Sequence, residues 1–237
     1  MFDRLTAFGV HAFTALGAVF GFLALVAAAG HRWEDAFGWL GIALIVDGLD
    51  GPLARRVGVK DKLPRFSGEH LDLVIDYLTY VVVPAYIIYE AQLVPVGLGT
   101  AAAALILLTS LYHFSDSQSK TDDGFFVGFP ALWNVVALYG FIFPVPPPLA
   151  FAVLVLLVVL TFFPFKWIHP VRVKRLRPIT FCVMGLWTVA TVAALLQGFP
   201  GSLAIKVAIA FATVYLVSIG VARSLREDQQ AIAESKH

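Results

Sequence analysis

The chain has 237 residues and a net charge of +1; 59% of its residues are hydrophobic and only 14% are charged. Soluble domains carry about one quarter charged residues, so this composition excludes a soluble enzyme or binding module and indicates an integral membrane protein. A single cysteine excludes a disulfide framework and a thiolate metal cluster. We expect that residue, Cys182, to be a small buried hydrophobe because it lies within an apolar run.

Apolar runs long enough to cross hydrocarbon follow one another along the whole chain. Backbone groups in lipid must be satisfied within their own segment, and no alternating barrel pattern appears, so the runs predict helices. The sequence therefore predicts an all-α integral membrane protein, with a single transmembrane domain at 1–222 and a polar tail at 223–237 that is expected to be cytoplasmic. The eight predicted spans are 7–30, 34–53, 70–92, 96–114, 125–143, 148–165, 178–197 and 201–222.

Lysine and arginine collect on one side of this arrangement. With the N-terminus inside, fifteen of the seventeen fall on the cytoplasmic side, and only Arg32 and Lys206 fall elsewhere. Both termini are therefore predicted to be cytoplasmic. A basic set lies between the sixth and seventh spans: Lys166, Arg172, Lys174, Arg175 and Arg177.

Four aspartates lie at the predicted cytoplasmic ends of the second and third spans. Asp47 and Asp50 are three residues apart, and Asp72 and Asp76 are four apart, so each pair shares a helix face. Ionised carboxylates at the edge of a bilayer are unfavourable unless they are paired or bind cations. Hard oxygen ligands suit Mg²⁺ or Mn²⁺ rather than zinc, and two such ions can clamp a phosphoryl group. The pattern predicts a site for two divalent ions.

Small residues and one arginine accompany the aspartates. Gly51 directly follows Asp50, and Gly68 precedes Asp72 by one turn, which leaves room for a nucleotide to approach the backbone. Ala54 is small for the same reason, and the guanidinium of Arg55 can bind phosphate. Helix packing is the alternative role for each single glycine or alanine.

Residues 47–55 read Asp-x-x-Asp-Gly-x-x-Ala-Arg, and residues 68–76 read Gly-x-x-x-Asp-x-x-x-Asp. This pattern resembles the signature of the CDP-alcohol phosphotransferase family, whose members displace CMP from a CDP-linked lipid or alcohol on a six-helix membrane core. The twelve-residue spacer at 56–67 is longer than in most members and is similar to that of the bacterial phosphatidylcholine synthase branch. The stretches 63–70 and 112–118 and the two additional C-terminal spans are similar to that branch as well.

The resemblance implies a role for each matching residue. Asp47, Asp50 and Asp72 would ligate metal. Asp76 would complete the second metal site and act as the base on the acceptor hydroxyl. Thr14 lies where many relatives carry Pro-Asn-x-x-Thr, of which the Pro-Asn is absent here. The residues implied in nucleotide or phosphate binding are Gly51, Ala54, Arg55, Gly68 and Thr14.

The resemblance also implies an activity: transfer of the phosphatidyl group of CDP-diacylglycerol to choline, with Mn²⁺ or Mg²⁺, by a homodimer in the bacterial inner membrane whose site faces the cytoplasm. Two alternatives stay open, namely the same chemistry with serine or inositol as acceptor, and a cation transporter. Transport sites lie near the bilayer midplane, whereas these aspartates lie at its predicted rim.

A quaternary ammonium cannot donate hydrogen bonds, so aromatic faces and a carboxylate are its usual partners. The expected choline contacts are Glu69, Tyr112, Tyr77 and Tyr80. The histidines His11, His113 and His169 show no metal-ligand spacing and are predicted to be structural or interfacial.

Overall fold

A computed structural model describes residues 2–116, 126–163, 166–167 and 177–234. Four of the residues discussed above, His169, Arg172, Lys174 and Arg175, lie outside these ranges. Contacts divide the chain into two compact units. The first runs to Leu111 and includes Leu132–Gly140, and the second comprises Tyr112–Ala131 and everything from Phe141 onward.

Helices make up nearly all the regular structure in the described ranges. The exception is an antiparallel pair of two-residue strands, β1 (Phe126–Val127) and β2 (Lys166–Trp167). A π-helical turn, Tyr77–Val82, joins α4 to α5. The α-helices are α1 (Phe2–Ala29), α2 (Trp33–Val57), α3 (Val59–Lys62), α4 (Gly68–Asp76), α5 (Val83–Glu90), α6 (Gly99–Ser115), α7 (Trp133–Ile142), α8 (Pro147–Thr161), α9 (Arg177–Gln197) and α10 (Leu203–Glu234).

The predicted helical membrane class is confirmed. Within the described ranges, four segments are long and apolar enough to cross a membrane, and each overlaps a predicted span: Asp3–Ala29, Trp33–Val57, Gly68–Glu90 and Pro178–Gln197. Shorter apolar helices occupy the other four predicted spans: Gly99–Ser115, Trp133–Ile142, Pro147–Thr161 and Leu203–Ile219. That these four also cross the membrane, and that both termini are cytoplasmic, stays a prediction.

Glycines bring α1 against the third long segment, 68–90, in the first unit. A Cβ added at Gly17 would lie 2.6 Å from Cγ2 of Ile75, and one at Gly21 would lie 3.0 Å from Cδ2 of Leu78. Lipid offers no hydrophobic force to press membrane helices together, so their association depends on close packing. Small residues permit that packing. The middle of α1 therefore lies directly beside the segment that carries Asp72 and Asp76.

Two local signals set the helix ends on either side of the signature's spacer. Gly58 adopts φ 69°, and its N–H donates to the carbonyls of Ala54 (3.0 Å) and Arg55 (3.3 Å), which ends α2 in a left-handed cap. Ser67 caps the start of α4, where its hydroxyl accepts a hydrogen bond from the N–H of His70 at 3.2 Å. The spacer thus contains the end of α2, the short helix α3 and the residue that caps α4.

In the second unit, α9 and α10 pack together, with Thr180 Oγ1 and Tyr215 Oη 3.3 Å apart. The buried face of α9 carries Val183 and Ala194. Cys182 is exposed, so the expectation that it is buried was wrong. Cys182 is next to Val183 in the sequence but does not lie on the buried face of α9. Because α9 is evenly apolar, its sequence does not show which face is buried.

Candidate metal and nucleotide site

Three of the four predicted metal ligands come together in the first unit. Asp47, Asp50 and Asp72 each place a carboxylate oxygen within 4.8 Å of the other two; they are called the aspartate group below. Asp50 is only 7% exposed. Two unit charges at this separation repel by about 3 kcal/mol in an effective dielectric of 20, so the group favours a bound cation. Its all-oxygen donor set fits Mg²⁺ or Mn²⁺.

Asp76 is not part of the aspartate group. It lies one turn beyond Asp72 and is half-buried, with its Oδ1 shielded from solvent. The side chain of Tyr80 interacts electrostatically with Asp76, Asp72 and Asp47. Asp76 therefore borders the aspartate group, while its roles as second-site ligand and base stay predictions.

The π-turn after Asp76 directs a buried tyrosine at the aspartate group. Tyr80, in the middle of that turn, donates a hydrogen bond from its hydroxyl to Oδ2 of Asp47 at 2.7 Å. A wider turn changes the direction in which side chains leave a helix, and π-turns are frequent at functional sites. The bond ties α2 to the third long segment and holds one oxygen of Asp47 in place.

The first helix also reaches the aspartate group, through Thr14. This residue is 6% exposed, and its hydroxyl donates to the carbonyl of Val10 at 3.2 Å. Its side chain also interacts with the carboxylate of Asp50. The structure thus places Thr14 beside a predicted metal ligand, and its nucleotide contact stays a prediction.

The small residues of α2 have different surroundings. A Cβ at Gly51 would lie 3.3 Å from Nη1 of Arg55, so the guanidinium folds back over the glycine, and Arg55 interacts with Asp50. Ala54 packs against a buried cluster that includes Val10 and Val59. This contact supplies the packing role weighed for Ala54, and its nucleotide contact stays a prediction.

Sequence reasoning gave no site role to His11, which the structure places beside Gly68. A Cβ at Gly68 would lie 3.2 Å from Cε1 of the His11 ring. Nε2 of His11 is buried and has no hydrogen-bond partner among the residues described. The signal that could have found it is its spacing: His11 precedes Thr14 by three residues and so shares its helix face.

The expected choline contacts are divided between the two units. In the first, Tyr77 donates its hydroxyl to the carbonyl of Leu107 at 2.9 Å, and Glu69 is exposed at the start of α4. In the second, Tyr112 is exposed and lines a cavity of about 440 Å³ together with Asp116 and Phe162. A quaternary ammonium contacts ring faces rather than hydroxyls, so these hydrogen bonds do not test the choline contacts. All four assignments stay predictions.

No protein-family model matches the chain. It is 42% identical over 219 residues to the phosphatidylcholine synthase of Agrobacterium fabrum, covering 92% of this chain and 91% of that protein. It is 42% identical over 226 residues to the phosphatidylcholine synthase of Pseudomonas aeruginosa, covering 95% and 94%. It is 49% identical over 187 residues to the protein of that name from Bradyrhizobium diazoefficiens, covering 78% and 70%.

Proposed function

The chain belongs to the phosphatidylcholine synthase family, and we propose that the aspartate group is where it carries out that family's reaction. It is a phosphatidyltransferase that transfers the phosphatidyl group of CDP-diacylglycerol to choline, giving phosphatidylcholine and CMP. The observation that carries the placement is the convergence of Asp47, Asp50 and Asp72 from two helices.

The reaction is a substitution at phosphorus. The choline oxygen forms a bond to the phosphorus that carries diacylglycerol, and the bond from that phosphorus to the bridging oxygen breaks. CMP leaves with the electron pair. Since an alcohol is almost wholly protonated at neutral pH, a base must accept its proton, and Asp76 beside the aspartate group is the proposed acceptor.

Asp47, Asp50 and Asp72 would hold Mn²⁺ or Mg²⁺, and Asp76 would complete a second site. Bound divalent ions supply charge neutralisation at the pyrophosphate and stabilise the attacking and leaving oxygens. The exposed guanidinium of Arg55 adds a positive charge near Asp50 that can bind a phosphate.

The nucleotide would lie along the faces of α1, α2 and α4 that border the aspartate group. Thr14 and Gly68 support this placement: Thr14 contacts Asp50, and Gly68 begins the helix that carries Asp72. Gly51 and Ala54 are proposed as further nucleotide contacts. For choline we propose the ring faces of Tyr77 and Tyr80, with Glu69 as the carboxylate and Tyr112 as a further aromatic contact.

The membrane arrangement is proposed to comprise eight spans, a six-helix core and two C-terminal helices, in the bacterial inner membrane. Both termini and the aspartate group would face the cytoplasm, and the enzyme would be a homodimer. Cys182 is the chain's single cysteine, so a Cys182→Ser background makes the topology testable. A cysteine introduced at Arg65 should react only with reagents supplied from the cytoplasmic side, and one at Gly97 only from the other side.

The activity is tested with purified protein, labelled CDP-diacylglycerol and a panel of alcohols, with and without a chelator. We expect CMP and phosphatidylcholine to form together with choline and to stop when the divalent ions are removed. CMP release with serine or inositol but not with choline would overturn the acceptor. Cation uptake by proteoliposomes without CMP release would instead support a transporter.

A further inference from the structure

We propose that His11 positions the CMP portion of CDP-diacylglycerol by a hydrogen bond through Nε2. The inference rests on the proposed function, because it places the nucleotide beside the aspartate group. It adds a residue for which the sequence pattern predicted only a structural or interfacial role.

The position of His11 follows from its neighbours on α1 and α4. Thr14, one turn along the same face of α1, interacts with Asp50. The His11 ring itself lies against Gly68, the first residue of α4, and Asp72 follows Gly68 by one turn. His11 is therefore one helical turn from Thr14, which interacts with Asp50. It also contacts Gly68, which is one helical turn from Asp72.

The chemistry of the ring indicates what it binds. Its Nε2 is shielded from solvent and has no hydrogen-bond partner within the described part of the chain, and such buried polar atoms call for an explanation in native proteins. An imidazole nitrogen can donate or accept a hydrogen bond, depending on its tautomer. The CMP portion offers several donors and acceptors, whereas choline offers only its hydroxyl, which the proposed reaction uses as the nucleophile. The nucleotide is therefore the substrate part that suits this atom.

Gly68 supports the same assignment. A methyl group at this position would lie 3.2 Å from Cε1 of His11, a separation tighter than ordinary van der Waals contact. A side chain there would push the ring from its position. The glycine thus leaves room for the histidine ring at the start of α4.

The test compares His11→Leu, which removes the polar atom, with His11→Gln, whose amide reaches about as far as Nε2. CMP binding is measured by calorimetry on the purified protein with Mn²⁺, and KM and kcat are measured for each substrate. We expect H11L to weaken CMP binding and raise the KM for CDP-diacylglycerol by roughly three- to tenfold, the loss of one neutral hydrogen bond. H11Q should recover most of that affinity, and the KM for choline and kcat should change little in either variant.

His31→Leu is the matched control, since His31 is exposed just beyond the other end of α1 and lies 3.6 Å from Glu90. Unchanged CMP binding in H11L, or an equal loss in H31L, would overturn the inference. So would a fall in kcat with no change in CMP affinity. If H11L is not recovered as folded protein, His11→Asn replaces it, because the shorter amide does not reach the position of Nε2. An inactive wild-type protein that binds CMP through His11 would instead defeat the proposed function alone.

Discussion

Replacing Tyr80 by phenylalanine removes one hydroxyl and leaves the buried ring in place. That hydroxyl donates to Oδ2 of Asp47 at 2.7 Å, a length typical of a charge-assisted O–H···O⁻ bond. Hydrogen bonds to charged groups contribute about 1.5–3 kcal/mol. Mutation of a group that orients a metal ligand typically lowers the metal affinity by about 10- to 100-fold. We therefore expect Y80F to raise the divalent-ion concentration needed for half-maximal activity by about tenfold or more.

The assay is CMP release at saturating CDP-diacylglycerol and choline, with Mn²⁺ or Mg²⁺ titrated from a chelated starting point. Tyr77→Phe is the matched control, because it makes the same chemical change three residues away. The Tyr77 hydroxyl donates to the backbone carbonyl of Leu107 at 2.9 Å, so Y77F should lower stability by about 0.5–1.5 kcal/mol without changing the metal requirement. Equal metal titrations for Y80F and wild type, or equal shifts in Y80F and Y77F, would refute the role given to Tyr80.

Three further predictions concern the aspartate group and the helix contact beside it. Asp72→Asn should lower kcat by more than about 100-fold, because divalent ions supply several kcal/mol of charge stabilisation. Asp61→Asn is the control and should retain activity, since Asp61 is exposed. Similar rates in the two variants would contradict the metal role. Chelation should abolish CMP release by the wild type, and added Mn²⁺ or Mg²⁺ should restore it; activity that survives exhaustive chelation would count against a metal site. Gly17→Ala should destabilise the protein by about 1–3 kcal/mol in detergent unfolding, because the new Cβ would lie 2.6 Å from Ile75, while Gly9→Ala on the same helix meets nothing within 4 Å and should not.

The sequence predicted the helices and most of the aspartate group for a simple physical reason. Long apolar runs have one stable form in lipid, and spacings of three and four residues put side chains on one helix face. Thus Asp47, Asp50 and Asp72 could be expected to meet once α2 and α4 were adjacent. Their relation to Asp76 depends on how the helix continues, which spacing alone does not fix.

The contacts made by α1 were harder to predict. Its residues are apolar on faces that meet lipid and on faces that meet protein, so hydropathy does not tell which side approaches α4. The contact between His11 and Gly68 was missed for this reason. The exposure of Cys182 was missed because α9 is likewise apolar on its buried and exposed faces. The π-turn was missed too, because a change in hydrogen-bond register over six residues, Tyr77–Val82, has no signature in composition.

That turn also bears on how length changes in this protein should behave. A π-turn holds about one residue more than a regular turn, so deleting one residue within Tyr77–Val82 could leave an unbroken α-helix. Such a deletion should therefore leave Val83–Glu90 facing as it does now relative to Asp72, whereas the same deletion in a regular α-helical turn would rotate the residues that follow by about 100°. Helical-wheel diagrams drawn straight through this segment will misplace one half of it by the same angle.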